Sequence, residues 1–208
     1  NTGFENTAIG RQAFASNTIG TENTANGFKA GFYNISASRN IAIGNYALYG
    51  QAYDPGFVWN SDNVAVGHSA LYFNQPTSTS NGIYNTAIGN FSLYHNNTGY
   101  YNTAAGYNAL YNNTTGFKNT AMGSAALFSN TIGIYNTATG NYALNKNVNG
   151  NENIANGYQA LYNNINGSTN VAVGNLALLS NISGQANAAF GHASLYFNTV
   201  GDYNTAAG

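Results

Sequence analysis

The 208-residue chain has no cysteine, two prolines, one methionine and one tryptophan. Without cysteine, neither a disulfide framework nor a thiolate metal site can form. Charge is also scarce. Lys, Arg, Asp and Glu make up 5% of residues, where a globular domain carries about 25%, and the net charge is −1. The five basic residues stand singly. The clustered Lys and Arg that displace counterions from a phosphate backbone are missing, so nucleic-acid binding is set aside. No apolar run approaches the roughly 18 residues of a membrane-spanning helix, and no signal-peptide pattern stands at the start. Low charge with few large aliphatics often marks disorder. Here 14% aromatics and recurrent Ala and Leu argue for an ordered chain instead.

What the chain has in excess is Asn, with 39 copies beside 25 Gly and 17 Tyr. They recur in one phrase, Asn-Thr-Ala-x-Gly and close variants. It begins at Asn6, Asn23, Asn40, Asn63, Asn85, Asn102, Asn119, Asn136, Asn153, Asn170, Asn187 and Asn204. The spacing is 17, 17, 23, 22 and then 17 throughout. Counting that Asn as position 1, the unit reads N-[TV]-A-x-G-x-x-A-L-Y-x-N-x-x-G-x-x. Position 2 is Thr, Ile or Val in every copy but one, where Ala188 stands. Such residues suit a pleated strand, and their alternation suggests an inward-facing position. Gly, Asn and β-branched residues would occupy the interior of any helix, which excludes a helical unit.

The unit therefore reads as two short strands, one over "NTAIG" and one over "ALYNN", with Gly at position 15 marking a turn. The fold expected is all-β: a β-solenoid, or parallel β-roll, of about twelve 17-residue coils. Residues 1–208 form one repeat array, with loop insertions near 50–62 and 74–84. At about 4.8 Å per coil, the rod would be roughly 55 to 60 Å long. The chain opens and closes within the phrase, as an excerpt of a longer array would.

Stacking turns equal positions into columns. Asn at positions 1 and 12, exemplified by Asn102, Asn113, Asn119, Asn130, Asn136 and Asn147, is expected to form amide ladders at corners. There Asn would also tolerate a left-handed backbone. The invariant Ala at position 3 marks a close approach, and Leu at position 9 (Leu110, Leu127 and their equivalents) is the expected core. One Leu per coil is a thin core. The aromatic column at position 10, including Tyr94, Tyr111, Phe128 and Tyr162, could add burial at an oligomer interface.

The phrase "NTAIG", with its variants "NVAVG" and "NIAIG", resembles the head repeats of trimeric autotransporter adhesins. It is also similar to Asn-Thr-Ala-Ile-Gly repeats of bacterial surface and tail-fibre-like proteins. The resemblance spans the whole chain, although the adhesin head coil is shorter than 17 residues. It implies a left-handed parallel β-roll, three chains side by side, and an extracellular or cell-surface rod that carries or forms an adhesive surface. Self-association, as a homotrimer or filament, and a host-surface or glycan ligand are the partners it implies.

Chemistry has few places to reside. Both prolines, Trp59, Asp54 and Asp62 fall in the insertions. Tyr53, Asp54, Phe57 and Trp59 form the candidate binding loop, since loops on a rigid scaffold often carry recognition. Glu5 and Glu22 share position 17 with Arg39, so a Glu22–Arg39 ion pair is expected. Two carboxylates suitably spaced could serve glycoside hydrolysis, but no cleft is indicated. His68 and His192 lie seven coils apart, and His95 occupies another position, so they cannot converge on a metal. No catalytic residue, metal or cofactor is expected, and the chain reads as a structural or adhesive fibre segment, not an enzyme. The alternative is an ice- or glycan-surface-binding solenoid. The sequons Asn34-Ile-Ser36 and Asn112-Asn-Thr114 fit chance in so Asn-rich a chain.

Overall fold

In a computed structural model, which describes residues 2–208, the chain is a β-solenoid with no helix. Twelve three-residue strands, from Thr7–Ile9 to Thr205–Ala207, form one parallel sheet in chain order. Each strand covers positions 2 to 4 of a coil. The register aligns like with like, Ala87 with Ala104 and Ala104 with Ala121. A second sheet of two strands pairs Ala37–Ser38 with Trp59–Asn60, beside the first insertion.

The expected strand over "ALYNN" is absent. That segment is a turn in every full coil, because residues at positions 7 and 9 have positive φ. In one coil these are Asn108 at 56° and Leu110 at 53°. The N–H of Asn108 reaches back to Asn90 at 3.1 Å, whereas that of Leu110 reaches forward to Ala126 at 2.9 Å. Inter-coil hydrogen bonding thus continues without β dihedrals. A left-handed L-residue costs roughly 1–2 kcal/mol. Burial of the Leu side chains and the axial hydrogen bonds offset it.

Of 33 non-Gly residues with positive φ among the described residues, only Asn108 is an Asn, and it belongs to neither ladder. The ladder asparagines are therefore not placed for left-handed tolerance. Position 17 is the third left-handed site, and there the side chain faces solvent in several coils, as with Glu152 at φ 56°. Glycine needs no such strain but has a larger entropy cost on folding. Glu152→Gly should therefore raise stability by roughly 0.5–1 kcal/mol, read as a shift in urea midpoint at unchanged slope.

The core is narrow. Ala at positions 3 and 8 and Leu at position 9 are wholly buried through most of the array, as are Leu48 to Leu178 in their column. Where the second coil has Gly31 in the Leu position, the ring of Phe14 occupies the space a Cβ would need. Position 2 does not face this core. Ile41 and Ile154 are exposed, as are Thr103 and Thr137, because Ala at position 3 takes the inward direction and a strand alternates.

The rest of the interior is amide. Asn102 and Asn113, eleven residues apart, both donate Nδ2 to the carbonyl of Gly116 at 2.9 Å. Asn102 Oδ1 accepts from the main chain of Asn119 at 3.0 Å and from its side chain at 3.3 Å. Asn113 Nδ2 also donates to Asn96 Oδ1 at 2.8 Å. The same pattern joins Asn119, Asn136 and Gly133, and Asn130, Asn147 and Gly150. All six of these asparagines are fully buried. Gly116 has no room for a Cβ, which would lie 2.5 Å from the carbonyl of Gly133.

Candidate functional site: an outer sheet face and an aromatic ribbon

The insertions form a second small core that buries Trp59. Trp59 is 5% exposed and packs with Ala37 and Ile83, with Tyr53 and Tyr100 against them. Its ring lies edge-on to Tyr53 at 5.7 Å. The reason is topological: Trp59 pairs with Ala37 in the two-stranded sheet and so turns inward at the corner. Of the candidate loop, Phe57 is the aromatic left exposed, at 58%. Asp54 accepts a hydrogen bond from the N–H of Gly56 at 3.0 Å and shapes the turn.

The ladder adjusts at the same place. Gln51 stands where other coils have Asn, and its longer side chain donates to Ser61 Oγ at 2.8 Å. Its Oε1 accepts from Asn63 and Asn74 at 3.0 and 2.9 Å. Arg39 does not pair with Glu22. It grips Asp62 with two hydrogen bonds, Nε to Oδ1 at 2.6 Å and Nη2 to Oδ2 at 2.7 Å. This bond, first among the causes, raises the pKa of the guanidinium further. Asp62 occupies the same column in the following coil, and its carboxylate reaches back across the insertion. Asn34, in a sequon, is a buried ladder member and cannot present its amide.

The position-10 aromatics pair with one another. Phe32, Tyr49, Tyr72, Tyr94, Tyr111 and Phe128 form one stack, with centroids 4.8 to 5.5 Å apart and planes within 20°. The spacing is that of the coils, so each face is covered by the next ring and only edges look outward. Burial, first among the causes, pushes the phenol of Tyr49 up to about 12, with the neighbouring phenol of Tyr33 second. Burial likewise raises Tyr72 and Tyr94 and lowers His95. Asn145 breaks the stack, which leaves Tyr162 apart beneath the Lys146 ammonium, 5.1 Å from its ring centroid. Tyr94, Tyr111, Phe128 and Tyr162 are all half-buried within the single chain. Their apolar surface is largely satisfied there, so the single chain leaves them little of the open area an oligomer interface would need.

An open apolar surface lies on the outside of the twelve-stranded sheet, made by positions 2 and 4. Ile9, Ile43, Ile88, Met122, Ile154 and Phe190 stand out from it with 40 to 58% exposure. No charged residue occurs at either position in any of the twelve coils. At three residues by twelve strands, the face measures on the order of 500 Å², with Thr, Asn26 and Asn156 set among its apolar side chains. Sequence reading missed it because β-branched residues at position 2 fit either side of a strand. The signal was present in position 4, which lies two residues on and must share the face of position 2.

No three His, Asp or Glu residues gather into a metal site among the described residues, and no helix is long and apolar enough to cross a membrane. The chain is a tandem-repeat β-solenoid with a charge-free outer sheet face. Comparison with protein-family models, curated proteins and solved structures finds no match.

Proposed function

We propose that the chain is a structural segment of an extracellular adhesive fibre, a rod that associates laterally with copies of itself. The outer sheet face carries this reading: it is uncharged along all twelve coils and presents exposed Ile, Met and Phe. The partner surface thus moves from the aromatic column to positions 2 and 4. The resemblance to adhesin heads favours three chains at the cell surface, and no constellation here suggests catalysis or a cofactor. Sedimentation and light scattering test it. The chain should run as an oligomer, and Ile88→Lys with Met122→Lys should return it to monomer mass with unchanged circular dichroism. A wild-type chain that stays monomeric up to high concentration would falsify lateral assembly.

One observation favours a second reading, binding of an ordered water or ice surface. Thr7, Thr24, Thr86, Thr103, Thr120, Thr137 and Thr205 share position 2, and that position faces outward. Methyl and hydroxyl groups then repeat about 4.8 Å apart along the axis. Thermal hysteresis from a monomeric chain, abolished by Thr120→Lys, would transfer the face from self-association to ice.

A further inference from the structure

Five Asn-Gly dipeptides occur in the chain: Asn26-Gly27, Asn81-Gly82, Asn149-Gly150, Asn156-Gly157 and Asn166-Gly167. In each, the glycine nitrogen can attack the Asn side-chain amide, since no Cβ on the following residue obstructs it. The ladder asparagines are never followed by Gly. Those of position 1 precede Thr, Ile, Val or Ala, and those of position 12 precede Thr, Ile, Val, Asn or Gln.

The structure divides the five dipeptides. Gly27 and Gly157 donate their N–H groups to Ile9 and Thr139 at 2.8 Å, as the sheet requires. Gly82 donates to Thr98 at 3.2 Å. Asn81 is held as well, accepting from the N–H of Thr77 at 2.9 Å and donating to its hydroxyl at 3.1 Å. The N–H groups of Gly150 and Gly167 have no acceptor among the described residues. Asn149 and Asn166, just before them, are exposed, and their side chains make no hydrogen bond among those residues.

We propose that Asn149 and Asn166 are sites of spontaneous deamidation, a modification built into two adjacent coils. The Gly150 nitrogen loses its proton to solvent base and forms a bond to Asn149 Cγ. The Cγ–Nδ2 bond breaks and ammonia leaves, giving a succinimide. Water then opens either carbonyl of the ring, which yields aspartate or isoaspartate. Gly167 and Asn166 react in the same way. No oxidant, reductant or enzyme is needed.

The position gives the modification its consequence. The carbonyl of Gly150 receives Asn136 and Asn147 at 2.8 and 3.0 Å, and that of Gly167 receives Asn153 and Asn164 at 2.8 and 2.9 Å. An isoaspartate lengthens the main chain by one atom next to the group where both amide columns meet. Two new carboxylates at position 14 of neighbouring coils also lie one coil spacing apart and repel. The array acquires charge and loosens where it was neutral and tight.

Peptide mapping by mass spectrometry on the full chain, folded at mildly alkaline pH, tests this, with an isoaspartate-specific methyl-acceptor assay as a second readout. Asn149 and Asn166 should convert about tenfold or more faster than Asn26, Asn81 and Asn156, because the main-chain hydrogen bond of the following glycine must open before those can react. In urea-denatured chain, all five should convert at similar rates. Equal rates at the five sites in the folded chain overturn the proposal. So does a folded chain that spares Asn149 and Asn166 while the denatured chain converts them.

Discussion

Asn119→Ala should destabilise the array by on the order of 5 kcal/mol, the largest loss expected from any single side-chain truncation. The residue serves three partners at once. Its Nδ2 donates to the carbonyl of Gly133 at 2.8 Å and to Asn102 Oδ1 at 3.3 Å. Its Oδ1 accepts from the main-chain N–H of Asn136 at 2.9 Å and from its side chain at 3.2 Å. Truncation leaves the Asn136 N–H buried without its acceptor, at about 1–3 kcal/mol. It also takes one donor each from the Gly133 carbonyl, which keeps Asn130, and from Asn102 Oδ1, which keeps the Asn119 N–H, at about 1 kcal/mol apiece. Because each coil contacts only its neighbours, the damage falls between coils. The urea transition should move to a lower midpoint and broaden as the array splits into two cooperative halves. Leu110→Ala, at about 2–5 kcal/mol, provides the comparison. If the Leu variant proves much the weaker, the amide ladder is secondary and the narrow apolar core dominates.

Gly106→Ala is expected to cost roughly 2–6 kcal/mol, for two separable reasons. Its φ of 141° lies where L side chains are strained. A Cβ there would also stand 2.5 Å from the carbonyl of Gly123, main chain against main chain. Neither side can withdraw without breaking the hydrogen bond from Gly106 N–H to Ile88 at 2.8 Å. Gly56 separates the two effects. It has φ 82° but nothing within 4 Å of its notional Cβ, so Gly56→Ala should cost only about 1–2 kcal/mol. Denaturation midpoints of both variants decide the matter. Similar losses would mean that close approach between coils at position 5 contributes little.

Periodicity alone made the solenoid legible, because a side chain repeated every 17 residues must stack on its own copy. It also marked Leu110 and its equivalents as core, and Asn102 and Asn113 as ladder members. What it could not convey was backbone handedness. Leu110 carries no sign that it is left-handed, since only the neighbouring coils make that conformation favourable. The phrase "ALYNN" therefore looked like a strand. Trp59 was misread for a related reason: its inward turn depends on pairing with Ala37, 22 residues away, and nothing local announces that partner. The aromatic column falls where the periodicity puts it, and its members stack on one another within the single chain. The sheet face was overlooked because Thr, Ile and Val do not say which way they point.

Like-with-like pairing gives the array a translational degeneracy. Coil for coil, Ala104 would meet Ala138 almost as well as it meets Ala121, since both wear the same neighbours. A chain that skipped one unit while folding would close over the gap with its ladders intact and one coil looped out. The irregular stretch supplies the phase that the regular coils lack. Arg39 with Asp62, Gln51 with Ser61, and Trp59 with Ala37 each occur once, and each fits one alignment alone. The insertions thus act as an origin mark on an otherwise uniform ruler, from which the remaining coils can be counted.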